Sequence, residues 1–259
     1  MMTLEEWRLY REQSVAGEQG DLALIGLFPI NEPSMTAGQL PGRWSPLSNG
    51  ELGLTVEAAA EEGITVDGKP LEGTTVLLAD RELVRFSADL TAAATEQPGS
   101  PHLLALWDAK AEAISRYEGI SFYPSDDNWI LPAEWVKEED GRVIAFTHNA
   151  DEDGVARIHQ SPGDIRFVKD GVSYTLTPFV SGDQLIVVFG DRTNGKETYG
   201  LGRMLIVQMN DNGAATLDFN RAFLPPCAFS YHFNCPLPPA HNRLPFDIQA
   251  GEKQVRFRE

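Results

Sequence analysis

The first periodic stretch is TLEEWRLYREQSVA, in which Leu4, Trp7, Tyr10 and Val15 fall near one helical stripe. Thr3 can cap such a helix, and Glu5 and Glu6 suit its first turn, so a helix is predicted over residues 3–16. The apolar run DLALIGLFPI that follows fits a buried strand. Over residues 31–43 proline, glycine and small polar residues take over, as in a loop. Short runs come next. ITVDGKPL alternates around Asp67-Gly68, a hairpin signal, and residues 76–78 and 83–86 repeat the pattern around a second turn.

Residues 91–102, TAAATEQPGSPH, have the low hydrophobicity of a linker. In LLALWDAKAEAISRY, Leu103, Leu106, Trp107 and Ile114 are spaced for one helical face, and Glu118-Gly119 marks an end, so an internal helix is predicted over 103–117. From Ile120 to Leu217 the chain reads as β. Strand pairs are expected around Asp140-Gly141, Asp170-Gly171 and Asn212-Gly213, with QLIVVFGD as a continuously buried strand. Repeated hairpins without intervening helices predict a mainly β fold, an antiparallel sandwich or barrel with an N-terminal helix and one internal helix. The expected organisation is an N-terminal helix with a small β unit over 1–90 and a larger β unit over 103–259 ending in a Pro-rich loop. The two can equally pack as one body.

Composition narrows the partners. The 259 residues carry a formal charge of −17, from 21 Lys and Arg against 38 Asp and Glu. Such a field repels phosphate backbones and anionic bilayers, and no arginine stripe with interleaved aromatics offsets it, so neither nucleic acid nor membrane is an expected partner. The start lacks a basic segment followed by an apolar run, and no stretch approaches the roughly 18 apolar residues of a span. A cytoplasmic location is expected. Two cysteines are too few for a disulfide scaffold in a chain of this length.

The segment from Asp218 to Lys253 holds both cysteines, two histidines and a high density of prolines. Its pieces Asp218-Phe219-Asn220-Arg221, Pro225-Pro226-Cys227-Ala228-Phe229, Cys235-Pro236-Leu237-Pro238-Pro239, Asn242-Arg243-Leu244 and Ala250-Gly251-Glu252 resemble the signature of the bacterial and archaeal family called domain of unknown function 1684. A looser likeness extends upstream through FGDRTNGKETYGLGRMLIVQ, Trp129, Tyr117-Glu118-Gly119-Ile120 and the opening helix with GDLALIGLF. The resemblance implies no reaction, cofactor or catalytic residue. His232 lies outside the signature.

Each candidate chemistry competes with a structural reading. Cys227 and Cys235 have seven residues between them with His232 and His241 nearby, which fits neither C-x₂₋₄-C nor H-x₃₋₅-H, so no metal site is expected. Buried small hydrophobes are the simpler reading of both thiols. No nucleophile signature surrounds Cys227, and a disulfide between the two is geometrically possible but unusual in a reducing compartment. G-x-S-x-G and both phosphate-binding glycine patterns are missing. GLGR at residues 200–203 leads into a strand and reads as a turn or bulge. The acidic runs NADEDG and NDNG lack the bidentate Glu of a calcium loop and read as solvated hairpin tips.

What remains is a dispersed polar set around the C-terminal loop: Asp191, Tyr199, Arg203, Asp218, Asn220, Arg221, Asn242 and Cys227, with Thr193, Arg243 and Glu252. Three functions can use it. A small-molecule-binding protein would place Arg203, Arg221, Asn220 and Tyr199 around an anionic ligand, under a lid formed by residues 225–239. A hydrolase or transferase would use Asp218 or Asp191 as base, or Cys227 as nucleophile. An interaction module would use the loop to dock a partner. Against all three stands a structural role, in which Asp218, Arg221 and Arg243 anchor an extended proline-rich loop that has few backbone partners of its own.

Overall fold

The computed structural model describes residues 2–48, 50–152, 154–209 and 214–258. The expected turn at Asn212-Gly213 lies outside the described residues. Compact contacts divide the chain into two units, residues 13–116 and residues 1–12 with 117–259. Every strand ladder among the described residues is antiparallel. No helix among them is long and apolar enough to cross a membrane.

Unit 13–116 contains two sheets. Numbered along the chain, the larger has the spatial order β1 (Leu24–Pro29), β9 (Ser100–Asp108), β8 (Leu90–Gln97), β7 (Val84–Arg85), β4 (Thr65–Val66), β5 (Lys69–Pro70). The smaller is β2 (Arg43–Pro46), β3 (Gly53–Ala58), β6 (Gly73–Leu78). Trp44, Leu54, Val56 and Leu77 of the smaller sheet share one core with Val84, Ala92, Ala94, Leu104 and Leu106 of the larger, which makes the unit sandwich-like. The Asp67-Gly68 hairpin forms as expected, with φ of 48° and 75° matching the left-handed pair of a type I′ turn. The turn after residue 78 joins strands of different sheets, so residues 76–78 and 83–86 do not pair.

Two further expectations fail in this unit. Residues 91–102 are not a linker: they lie in β8 and β9, hairpin partners around Pro98-Gly99 with Gln97 opposite Ser100. Ala92 and Ala94 are fully buried, so small side chains gave a core strand the hydropathy of a tether. The internal helix shrinks to α2 (Glu112–Arg116), because Leu103, Leu104, Ala105 and Leu106 are all buried in the central strand β9. A strand covered on both faces shows no alternation, and its apolar run mimicked a helical face.

The other unit begins with α1 (Leu4–Val15), whose Thr3 and Glu6 form the reciprocal capping box: Glu6 N–H donates to Thr3 Oγ1 at 3.2 Å and Thr3 N–H to Glu6 Oε2 at 2.7 Å. Tyr10 does not join a buried stripe. It is exposed, and the helix is tied down by arginines: Arg8 donates to the Tyr123 carbonyl at 2.8 Å and lies over Phe122, and Arg11 lies over Phe223.

The main sheet of this unit runs β13 (Val172–Leu176), β12 (Arg157–Lys169), β11 (Ile130–Phe146), β18 (Ala214–Asp218), β17 (Gln208–Met209). Its inner face shares a core with β15 (Gln184–Phe189) and β16 (Arg203–Ile206), which with β14 (Phe179–Ser181) form a second sheet. Leu131, Ile165, Leu176 and Leu217 meet Val187, Phe189 and Leu205 there, again sandwich-like and without barrel closure among the described residues. β10 (Tyr117–Phe122) pairs with β19 (Glu252–Phe257). Asp170-Gly171 forms the expected hairpin, with φ of 52° and 77°. Asp140-Gly141 does not. Lys137 faces Gly163 and Arg142 faces Ser161, so residues 138–141 bulge out of one continuous β11.

The hairpin of β8 and β9 makes a direct prediction. In hydrogen exchange read by mass spectrometry, peptides covering Ala92, Ala94, Leu104 and Leu106 should be among the slowest of the unit. Exchange of these amides as fast as in an unstructured chain would contradict the sheet assignment.

Candidate functional site

Arg203 opens β16 with no exposed surface. A guanidinium in that position needs hydrogen bonds for most of its donors, and here both terminal nitrogens are satisfied while Nε has no partner among the described residues. Its Nη2 donates to Asp191 Oδ2 and to the Ile248 carbonyl, both at 2.8 Å, and its Nη1 donates to the carbonyls of Ala250 and Glu252. Phe189 lies under the plane, 5.4 Å from its carbon. Asp191 completes its own shell by accepting from the Thr193 amide at 2.8 Å and the Thr193 hydroxyl at 2.5 Å. The ion pair thus holds the end of the 218–253 loop, residues 248–252, against the β15 and β16 strand ends. The glycines beside it are required. Gly202 has φ 100° and a Cβ there would sit 2.6 Å from the Phe189 carbonyl oxygen; Gly251 has φ 78° with the Ala222 oxygen 2.5 Å away. The turn expected at GLGR is this one.

Glu252, also fully buried, accepts from Arg11 Nε at 2.8 Å and from the Leu224 amide at 2.7 Å. Asn220 reads both backbone groups of Asp126, donating to its carbonyl and accepting from its amide at 3.0 Å each, and donates to Asp218 Oδ1. Asp218 in turn accepts from Arg221 Nε at 3.1 Å, while Arg221 Nη2 donates to the Met2 carbonyl. Asn242 accepts from the Thr177 amide and donates to the carbonyls of Thr177 and Val188, all at 2.9 Å. The Tyr199 hydroxyl donates to the Cys227 carbonyl at 3.1 Å, and burial, then Cys227, pushes its pKa upward.

The eight candidate residues therefore form four separate ties: Arg203 with Asp191, Asp218 with Asn220 and Arg221, Asn242 alone, and Tyr199 with Cys227. The hydrogen bonds among the described residues join them in these four groups and not in one. Each replaces hydrogen bonds that a proline-rich segment cannot obtain from a strand ladder.

Two arrangements escaped the sequence reading. The first is a histidine pair. His148 and His159 are buried and stacked, with ring centroids 5.2 Å apart and Nε2 atoms at 3.0 Å. His148 Nδ1 lies 2.8 Å from the Asn234 carbonyl and so carries the proton, which leaves Nε2 to accept from His159 Nε2–H. Burial, followed by the charges of His148 and Arg157, holds the pKa of His159 down at about 4; burial also lowers that of His148. Beside the pair, Asn149 and Asp151 of NADEDG are tied down, while Ala150, Glu152 and Gly154 stay exposed as expected of a hairpin tip. Asn149 accepts from the Cys235 amide, and Asp151 makes a two-pronged pair with Arg157 at 2.7 Å and accepts from Asn234. The Arg157 bond is the main reason that the Asp151 pKa falls to about 2. Parity along β12 held a signal for His159, which shares a face with the buried Ser161, Ile165 and Phe167.

The second is a groove of about 620 Å³ on the outer face of the five-stranded sheet, lined by Pro132, Glu134, Arg166, Val168, Ser173 and Ala214 among others. Glu134 and Arg166 are directly opposed in the β11–β12 register. Among the described residues Arg166 has no side-chain hydrogen bond or ion pair. No group of three or more potential metal ligands occurs among the described residues.

Two outcomes follow. Arg203→Ala strands a buried Asp191 and should lower unfolding free energy by about 3–5 kcal/mol in urea denaturation. Arg221→Ala, at a partly exposed pair, should cost about 1 kcal/mol or less. Equal, small losses at both would refute the anchoring role. The histidine pair predicts acid lability. An unfolded chain protonates His159 below about pH 6.5, whereas the folded protein resists until about pH 4. Its contribution is present above pH 6.5 and lost as pH falls towards 4. His159→Gln, which can still donate to His148, should flatten this limb of a stability-versus-pH curve.

A family model described as protein of unknown function (DUF1684) matches residues 115–253. No curated protein matches the chain. Among solved structures, the solution NMR structure of the uncharacterized protein from gene locus rrnAC0354 of Haloarcula marismortui is 30% identical, covering 52% of this chain and 76% of that one with a TM-score of 0.43. The matched segment contains all eight candidate residues described above, and the chain belongs to the DUF1684 family.

Proposed function

We propose that the protein binds a small anionic molecule, and that the binding surface is the outer-sheet groove, not the C-terminal loop. The observation that carries this reading is Arg166, a cation with no side-chain partner among the described residues, at the wall of a groove of about 620 Å³. That volume lies in the range of small-ligand sites, and apolar Pro132 and Val168 flank the charge. Arg166 suits a carboxylate, sulfonate or phosphate group, and Glu134 opposite it can accept from a hydroxyl or amino group on the same ligand. The arginines first expected to do this, Arg203 and Arg221, already serve Asp191 and Asp218. The same holds for the carboxylates of the hydrolase or transferase reading, and it ranks below binding for that reason.

A second reading, protein docking, draws on exposed apolar side chains farther along the same hairpin, where Val143 is 59% and Ile158 is 55% exposed. The charge of −17 keeps nucleic acid and membrane surfaces outside both readings, and the cytoplasm remains the proposed location.

Anilinonaphthalene sulfonate, an anion on an apolar body, is a suitable probe. Its fluorescence should rise and shift to the blue with the native protein. Arg166→Ala should weaken binding about tenfold, and Val168→Asp should abolish it, with Arg221→Ala unchanged. Binding indifferent to Arg166 and Val168, or none at all, would remove the groove from consideration.

A further inference from the structure

The anchoring network uses the backbone of the two cysteines, and their thiols call for a separate account. Cys227 lies in a short 3₁₀ turn, Pro226–Ala228, and Cys235 lies at the far end of the intervening segment. Its amide nevertheless donates to Cys235 Sγ at 3.3 Å. Bond geometry then puts that sulfur within about 6 Å of the Cys227 Cβ and the two Cα atoms within about 8 Å, so side-chain rotation with a small backbone adjustment can close a disulfide. Both backbones are held in place. Tyr199 donates to the Cys227 carbonyl, while Cys235 donates its amide to Asn149 Oδ1 and accepts at its carbonyl from the Asn149 amide at 3.0 Å. The thiols differ in access. Cys227 is partly exposed, Cys235 is only 6% exposed, and Tyr231 between them is 84% exposed.

We propose that Cys227 and Cys235 form a reversible, oxidant-responsive thiol pair, with low-molecular-weight disulfides as its reaction partners. The Cys227 thiolate attacks one sulfur of the small disulfide; a mixed disulfide forms and one small thiolate leaves. Cys235, deprotonated, then attacks Cys227 Sγ and expels the second small thiolate. Two protein thiols are oxidised to one disulfide, one small disulfide is reduced to two thiols, and the two protein protons end on those products. Cys227 attacks first because it is the accessible sulfur, and Cys235 resolves because its place beside the Cys227 amide is already fixed. The new bond closes residues 227–235 into a ring with Tyr231 at its outer tip. This device is independent of the groove and would operate in a resting cytoplasm as the reduced form.

Intact-mass measurement of the folded protein after incubation with oxidised glutathione tests it. The native chain should lose two hydrogens, with peptide mapping linking residue 227 to residue 235, and dithiothreitol should restore the original mass. Cys235→Ser should trap one glutathione on Cys227, and Cys227→Ser should take up little or none. Stable glutathione adducts on the native chain, an unchanged mass, or a bond between two chains would overturn the pairing. A glutathione adduct on Cys227→Ser with none on Cys235→Ser would overturn the order of attack. The native-chain result stands by itself if either variant fails to fold.

Discussion

One buried ion pair organises the C-terminal third of the protein. Arg203 and Asp191 have fully buried side chains 2.8 Å apart, and the cost of burying two charges is offset only by the bonds that surround them. Those bonds are mostly to backbone: three carbonyls for the arginine, two amides for the carboxylate. The pair therefore substitutes for a strand ladder at a place where proline-rich chain cannot make one. Gly202 and Gly251 carry positive φ beside it because only a residue without Cβ lets backbone approach so closely.

The same solution recurs along the loop with other side chains. Asn220 mimics a backbone partner for Asp126, Asn242 does so for Thr177 and Val188, and Asn149 does so for Cys235. An amide side chain offers one donor edge and one acceptor, which is what a lone peptide group needs. The resulting loop is irregular in conformation yet ordered, with Phe219, Leu224, Leu244 and Ile248 buried beneath it. Polar residues that a sequence presents as a candidate site are here consumed in holding chain to chain. The cation left unpaired by this network among the described residues that line the groove is Arg166, on the opposite face of the sheet.

The histidine pair belongs to the same economy of satisfied groups. His148 gives its proton to the loop carbonyl of Asn234 and takes one from His159, so the two rings join β12 to the loop through a single chain of hydrogen bonds. Neutral rings do this without the desolvation penalty of a charge, and the lowered pKa of each follows from that burial. Cys227, whose carbonyl Tyr199 holds, sits at the other end of the same segment, which leaves residues 228–234 tethered at both ends.

Local chemistry determined the antiparallel β character, the capped N-terminal helix and the hairpins at Asp67-Gly68 and Asp170-Gly171. Capping and type I′ turns depend on residues only a few positions apart, so their physics is written in adjacent letters. The loop's importance and most of its anchoring residues were also legible, because a long proline-rich segment with buried-type side chains must find its hydrogen bonds somewhere. Tertiary structure alone decided the rest. Ala92 and Ala94 became core because neighbouring strands covered them, and Leu103 to Leu106 became strand because both faces were buried. Asp140-Gly141 became a bulge because its partner strand continued past it. Which carboxylate met Arg203, that His148 would meet His159, and that Arg166 would have no side-chain partner among the described residues are matters of long-range register, and no local pattern encodes them.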